Sequence, residues 1–298
     1  MIWIFELLYA FYFGFQFSSL CIHDSLDIVF RFFCGIPIGC FSLAWFHFIL
    51  SLFFPLNKFH GIISIIIFYI LSMILKYFKS KLNLKTKIKW PLLQLCSLIT
   101  VSTLFCLIIF FGLLFDDTYC IGAAYGDLPF HLNIITSFAT GGNYKRSSLY
   151  DINTTFYYGT RLAYPFMTNF LSSSLISTGL ASVRCSVFFP SIFMSLSLIF
   201  GIYSLSYEFT ENIFATILAL SLFFLTGGLG WTRLFTKKAF TDPKYFDGAD
   251  FVFDWPEKRN EYWFQPIIHV LLPQRASLFS MPLCYWTILM LILGIENE

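Results

Sequence analysis

The stretch richest in chemistry is Gly126-Asp127-Leu128-Pro129-Phe130-His131-Leu132-Asn133. Pro129 suits the first turn of a helix, which puts Asp127 near the N-cap and His131 one turn later. A carboxylate and an imidazole four residues apart share one helix face. They can act as an acid/base pair or give two ligands to a divalent metal ion. The plainer reading is that Asp127 only caps the helix and His131 is an interfacial histidine. Leu132, Ile135 and Phe138 extend the segment as an apolar stripe at helical spacing, and Gly141-Gly142-Asn143 stops it.

Other polar residues follow. Asn153-Thr154-Thr155 is a sequon for N-glycosylation at Asn153. Arg161 precedes Tyr164-Pro165-Phe166 and the polar run 164–180, which holds Thr168, Asn169, four serines and Thr178. Further on lie Asp242, Asp247, Asp250 and Asp254 with Trp231, Trp255 and Trp263. These acids lack ordered metal-ligand spacing, so a solvated face with interfacial Trp anchors is the preferred reading. Gln274-Arg275 then precedes the last apolar run. An arginine there either snorkels to the interface or binds an anionic headgroup or phosphate.

The elements that position these residues are membrane helices. Of 298 residues, 57% are hydrophobic and 12% charged, about half the charge of a soluble domain. Mean hydropathy is +0.73. Apolar runs at about 2–20, 32–54, 61–79, 91–115, 184–206, 213–229 and 277–295 each approach the roughly 20 residues a bilayer core requires. Backbone groups in lipid must be satisfied internally, so the runs are expected to be helices; barrel-type alternation is absent. The fold class is therefore all-α: a single polytopic membrane domain of about seven transmembrane helices. The run 164–180 is short and polar. It is either a packed transmembrane helix, since Ser and Thr favour close helix contact, or, the preferred reading, a re-entrant or juxtamembrane helix lining a cavity. The eight cysteines contain no CxxC pair, so neither a disulfide framework nor a zinc site is expected. A net charge of +2 without a basic patch argues against nucleic acid. The first run lacks the positive flank of a signal peptide and is expected to be retained.

Lys76, Lys79, Lys81, Lys85, Lys87 and Lys89 follow the third run with no acid among them. The positive-inside rule places them in the cytoplasm. The loop 116–183, with its interfacial helices, is then extracytoplasmic, and the Asp127–His131 helix lies on that membrane surface. If 164–180 does not span, the second long loop, 230–276, faces the same side. Arg233, Lys237 and Lys238 favour the opposite placement.

Together these residues resemble the C-type superfamily of integral membrane glycosyltransferases, which use lipid-phosphate sugars. The features are an early acid in an extracytoplasmic loop, Gly126-Asp127-Leu128-Pro129-Phe130-His131, Ser137-Phe138, Gly142-Asn143, Arg161-Leu162, Tyr164-Pro165-Phe166 and Leu272-Pro273-Gln274-Arg275. The set looks closest to an uncharacterised branch of large membrane proteins near that superfamily and covers about residues 90–295. The resemblance implies that Asp127, paired with His131, acts on the acceptor or binds a divalent metal ion. It implies a polyprenyl-phosphate sugar donor, whose phosphate Arg161 and Arg275 would hold, with Asn143 and Gln274 also binding substrate. It implies a membrane of the endoplasmic reticulum or another secretory compartment. Members have many more helices, so the chain is expected to be a truncated or short form.

Three functions remain after this reading. One is sugar transfer with Asp127 as general base. Another is a transporter or lipid-handling protein built around 164–180, although Glu6 is the only acid well inside an apolar run. The third is a non-catalytic scaffold or inactive fragment. The sugar, the acceptor, any cofactor and the oligomeric state are not legible in the sequence.

Overall fold

The computed structural model describes residues 1–21, 27–81, 92–113, 127–146, 148–157, 159–225, 271 and 274–296. The regular elements among them are helices: α1 (Ile2–Cys21), α2 (Ile28–Leu50), α3 (Lys58–Lys81), α4 (Leu92–Leu113), α5 (Asp127–Ala139), α6 (Met167–Ser177), α7 (Val183–Thr210), α8 (Ile213–Leu225) and α9 (Arg275–Glu296). Five of these, α1, α2, α3, α7 and α9, are long and apolar enough to cross a membrane. The expectation of about seven spans also counted the runs that hold α4 and α8, of which Leu95–Leu107 and Ile213–Phe224 are the apolar stretches among the described residues. Most of loop 230–276, with its four aspartates and three tryptophans, lies outside the described residues.

The helix boundaries follow local chemistry. α2 begins four residues before the expected 32, because Arg31 is buried inside the bundle rather than marking a polar edge. It ends at Leu50, where Ser51 to Phe54 tighten into turns ahead of Pro55. α1 and α2 run antiparallel with their backbones in contact. Ala10 and Gly14 on α1 meet Gly39 and Gly35 on α2. A Cβ on Gly14 would sit 1.9 Å from the Gly35 carbonyl oxygen. Small residues at four-residue spacing permit this approach, and in lipid such close packing is a main source of helix association.

α7 forms the centre. The Ser197 hydroxyl donates to the Phe33 carbonyl of α2 at 2.7 Å. Trp286 of α9 donates through Nε1 to the same hydroxyl at 3.0 Å. Phe33 and Phe200 stack with centroids 3.8 Å apart. One polar knot thus joins three spans within the core.

The contacts also sort the helix ends. At one end α1 starts, α2 ends and α3 starts, because Glu6 meets both His47 and Ser64. α6 joins that end through the Trp3 amide, which donates to the Gly179 carbonyl at 3.0 Å. α7 and α9 begin there too: Ser172 of α6 contacts the Ser186 carbonyl and the Arg275 guanidinium. At the opposite end, Ser18 near the end of α1 meets Arg31 near the start of α2. Lys79 lies there over the Phe15 ring at 5.7 Å. The described lysines at the end of α3 therefore sit at the end of the bundle remote from α5 and α6.

α6 has only 11 residues, about 16 Å of helix, against the roughly 30 Å of a bilayer core. Asn169 to Leu175 are all buried. The run 164–180 is thus a short helix enclosed by protein, and it does not cross as one helix. Its serines and Asn169 face other helices, where their polar groups find partners.

Candidate functional site

α6 brings together two of the residues singled out in the sequence. Arg275 enters at the first turn of α9, and its Nε donates to Asn169 Oδ1 at 3.1 Å. Its Nη2 donates to Ser172 Oγ at 2.7 Å. Asn169 and Ser172 are three residues apart, so they share one face of α6. On its other side, Asn169 Nδ2 lies 3.1 Å from His131 Nδ1 on α5. His131, Asn169, Ser172 and Arg275 are all buried.

The hydrogens in this chain are determined. A guanidinium only donates, so the Asn169 oxygen must face Arg275. The Asn169 amide NH2 then faces His131, and Nδ1 must accept. His131 is therefore the neutral tautomer with its proton on Nε2. At Nε2 it is a donor, not a base. This revises the expectation of an acid/base pair: of the two residues, only the Asp127 carboxylate can take up a proton.

Asp127 is exposed at the start of α5. His131 is buried on the face that α5 turns to α6, with Leu128, Ile135 and Phe138. α5 does not lay a polar start on a surface; it packs His131 inward. Burial, together with the nearby charge of Asp127, pushes the Tyr164 phenol above its ordinary pKa. Tyr164 packs on Phe130 with ring centroids 4.8 Å apart and lies 6.0 Å from the His131 ring. Asp127, His131 and Tyr164 thus form one neighbourhood at the α5–α6 end.

The other expected residues have different placements. Asn143 is buried and bonded to its own loop: Nδ2 donates to Ser137 Oγ and to the Asn153 carbonyl, both at 2.8 Å, and Oδ1 accepts from the Asn153 amide at 2.9 Å. These contacts define a clamp closing the 143–153 turn. Asn153 is exposed, and its backbone bridges to Arg161, which is also exposed. No contact among the described residues joins Arg161 to Arg275. Gln274 is half-buried, and its carbonyl caps the first turn of α9 by accepting from the Leu278 amide. Beside the clamp is a cleft of about 650 Å³ lined by uncharged polar groups, among them Asn133, Thr136, Thr140 and Thr154.

Among the described residues the donors near α5 do not fit a divalent metal ion. His131 Nδ1 is occupied by Asn169, which leaves Asp127 as the anionic donor of the pair. No group of three or more His, Cys, Asp or Glu among the described residues could hold a metal. Asp116 and Asp117 lie outside the described residues.

Two features carried no assignment from sequence. Arg146, outside the spans, is buried over the rings of Phe48, Phe138 and Phe170, at 4.4, 5.3 and 5.5 Å, and its Nη2 donates to Ser51 Oγ. Burial pulls it down to about 10, partly offset by Asp151. It ties the 143–146 turn to the end of α2. Ser172 was one of four serines in a polar run. Its three-residue offset from Asn169 was the available signal.

No protein-family model, curated protein or solved structure matches this chain.

Proposed function

We propose that this protein is a membrane-embedded glycosyltransferase that moves a sugar from a polyprenyl-phosphate donor to an acceptor on the extracytoplasmic side. The observation that carries the proposal is the buried Arg275, fixed by Asn169 and Ser172 beside the α5 helix that bears Asp127. A fixed positive charge in a water-poor setting stabilises a phosphate leaving group as its charge develops. The exposed Asp127 carboxylate is the general base, taking the acceptor hydroxyl proton as that oxygen attacks the anomeric carbon. His131 serves as a positioned Nε2–H donor. The uncharged cleft beside α5 suits a hydroxyl-rich ligand, bound by hydrogen bonds rather than by charge. The lysine-bearing end of α3 lies opposite, which under the positive-inside rule supports an extracytoplasmic Asp127 end; the membrane proposed is one of the secretory pathway.

The test is transfer of labelled sugar from a polyprenyl-phosphate donor by the purified protein in lipid. Asp127→Ala is expected to abolish transfer while leaving thermal unfolding unchanged. Retained transfer would remove Asp127 from the chemistry.

A second reading, a transporter or lipid-handling protein, draws on a single observation. Glu6 and His47 approach to 3.5 Å inside the helix bundle, and ionisable pairs at such depth are frequent in carriers. Substrate-dependent uptake into vesicles, with no sugar transfer, would favour it.

A further inference from the structure

Glu6 lies in α1, fully enclosed where α1, α2, α3 and α6 meet. Its Oε1 is 2.7 Å from Thr178 Oγ1 at the end of α6, 3.3 Å from Ser64 Oγ on α3 and 3.5 Å from His47 Nε2 on α2. Its Oε2 is buried with no hydrogen-bond partner among the described residues, and the same holds for both ring nitrogens of His47. Two glycines open the space: a Cβ on Gly179 would come within 2.4 Å of Oε2, and one on Gly61 within 3.1 Å of Oε1.

The hydrogen count admits Thr178 as donor to this carboxyl or as acceptor from it, and burial selects between the two. A hydroxyl has one proton to give. Thr178 Oγ1 lies 2.7 Å from the Ser174 carbonyl, and Ser64 Oγ lies 2.8 Å from the Gly61 carbonyl. If each hydroxyl donates to its own helix, the short Glu6–Thr178 contact has no hydrogen unless Glu6 supplies it. An ionised Glu6 would also leave a charged oxygen buried without a donor, which costs far more than a buried carbonyl oxygen. Thr178 caps the C-terminus of α6, so the negative end of that helix dipole faces the carboxyl and disfavours an anion further.

We infer that Glu6 is a proton-binding site within the bundle, whose carboxylic acid donates to Thr178 and fastens α6 to α1. Loss of the proton would turn the Thr178 hydroxyl from the Ser174 carbonyl to the carboxylate and so remove its bond to the last turn of α6. The same helix carries Asn169 and Ser172, so the protonated acid holds the seat of Arg275. His47 Nε2, 3.5 Å from Oε1 and without a hydrogen bond among the described residues, leaves the proton on Glu6, so both members of the pair are neutral. The titratable groups facing the pair are His47 from α2 and, acting on His47 by charge, His60 from α3; α6 contributes none.

The test is infrared difference spectroscopy on the full chain in lipid nanodiscs at neutral pH. The wild type minus Glu6→Gln spectrum should show a protonated-carboxyl C=O band, since Gln keeps a donor for Thr178 and preserves packing. Thr178→Val, with Glu6 intact, should retain that band and move it to higher wavenumber as the acid loses its acceptor. Absence of a band removed by Glu6→Gln, or a band unmoved by Thr178→Val, would overturn the inference. Should Glu6→Gln not fold, the Thr178→Val minus wild type spectrum alone decides: a shifted carboxylic-acid band supports the inference, and a change only in the carboxylate region refutes it.

Discussion

Asn169 is the residue on which the site depends, and a double-mutant cycle with Arg275 measures how much. Asn169→Ala removes the acceptor of the Arg275 Nε bond and the donor to His131 Nδ1, both at 3.1 Å. Hydrogen bonds to charged groups contribute about 1.5–3 kcal/mol and neutral ones about 0.5–1.5 kcal/mol. The single substitution is therefore expected to cost about 2–4 kcal/mol. Arg275→Met keeps the aliphatic stem and costs a similar amount, because it leaves Asn169 Oδ1 buried without its donor and removes one of the two partners of Ser172 Oγ. In the double variant the Arg275–Asn169 bond is lost only once, so the two costs should fall short of their sum by about 1.5–3 kcal/mol. Neutral pairs between membrane helices average only about 0.6 kcal/mol, so a coupling at that level would mean that the arginine's charge is not engaged. The assay is denaturant unfolding in mixed micelles followed by tryptophan fluorescence. Additive costs, within about 0.5 kcal/mol, would refute the reading of Asn169 as the link between His131 and Arg275.

Other substitutions probe the frame around the site. Gly14→Leu forces side-chain atoms into the α2 backbone and should abolish recovery of folded protein from membranes, whereas Gly142→Ala, with open space around its Cβ, should be recovered normally. Asn143→Ala removes three hydrogen bonds and should speed amide exchange at Thr154 and Leu162, leaving the spans protected. Arg146→Met should destabilise by under about 1.5 kcal/mol and Arg146→Ala by more, since Met fills the space between the three rings. Burial lowers the Arg146 pKa from its ordinary value to about 10, so above about pH 10 the unfolded chain holds its proton more tightly. That group's contribution should then raise stability as pH climbs above about 10, an upturn missing in Arg146→Met.

Much of the scaffold was legible because lipid allows so few solutions. Uninterrupted apolar runs predicted α1, α3, α7 and α9 to within a few residues. α2 was displaced because Arg31, which reads as a boundary, is carried inside the bundle. The shortness of α6 followed from its serines, which need partners that lipid does not offer. The site was only partly legible. Spacing placed Asp127 and His131 on one helix, but the inward rotation of His131 depends on α6, 38 residues further on. Asn143 was named through the resemblance; its place in a loop clamp follows from the fold, because a clamp and a ligand contact use the same residue type. The Glu6 pocket could not be read at all, since it is assembled from α1, α2, α3 and α6, and only Glu6 stood out as an acid among apolar neighbours.

The central claim is that the buried Arg275 serves a lipid-linked phosphate. Its most direct measurement is binding of a polyprenyl phosphate to the protein in nanodiscs, comparing wild type with Arg275→Gln, which keeps amide donors for Asn169 and Ser172. Saturable binding by the wild type, weakened at least tenfold in Arg275→Gln at unchanged unfolding temperature, is the predicted result. Equal binding by both proteins, or none by the wild type, would contradict the account.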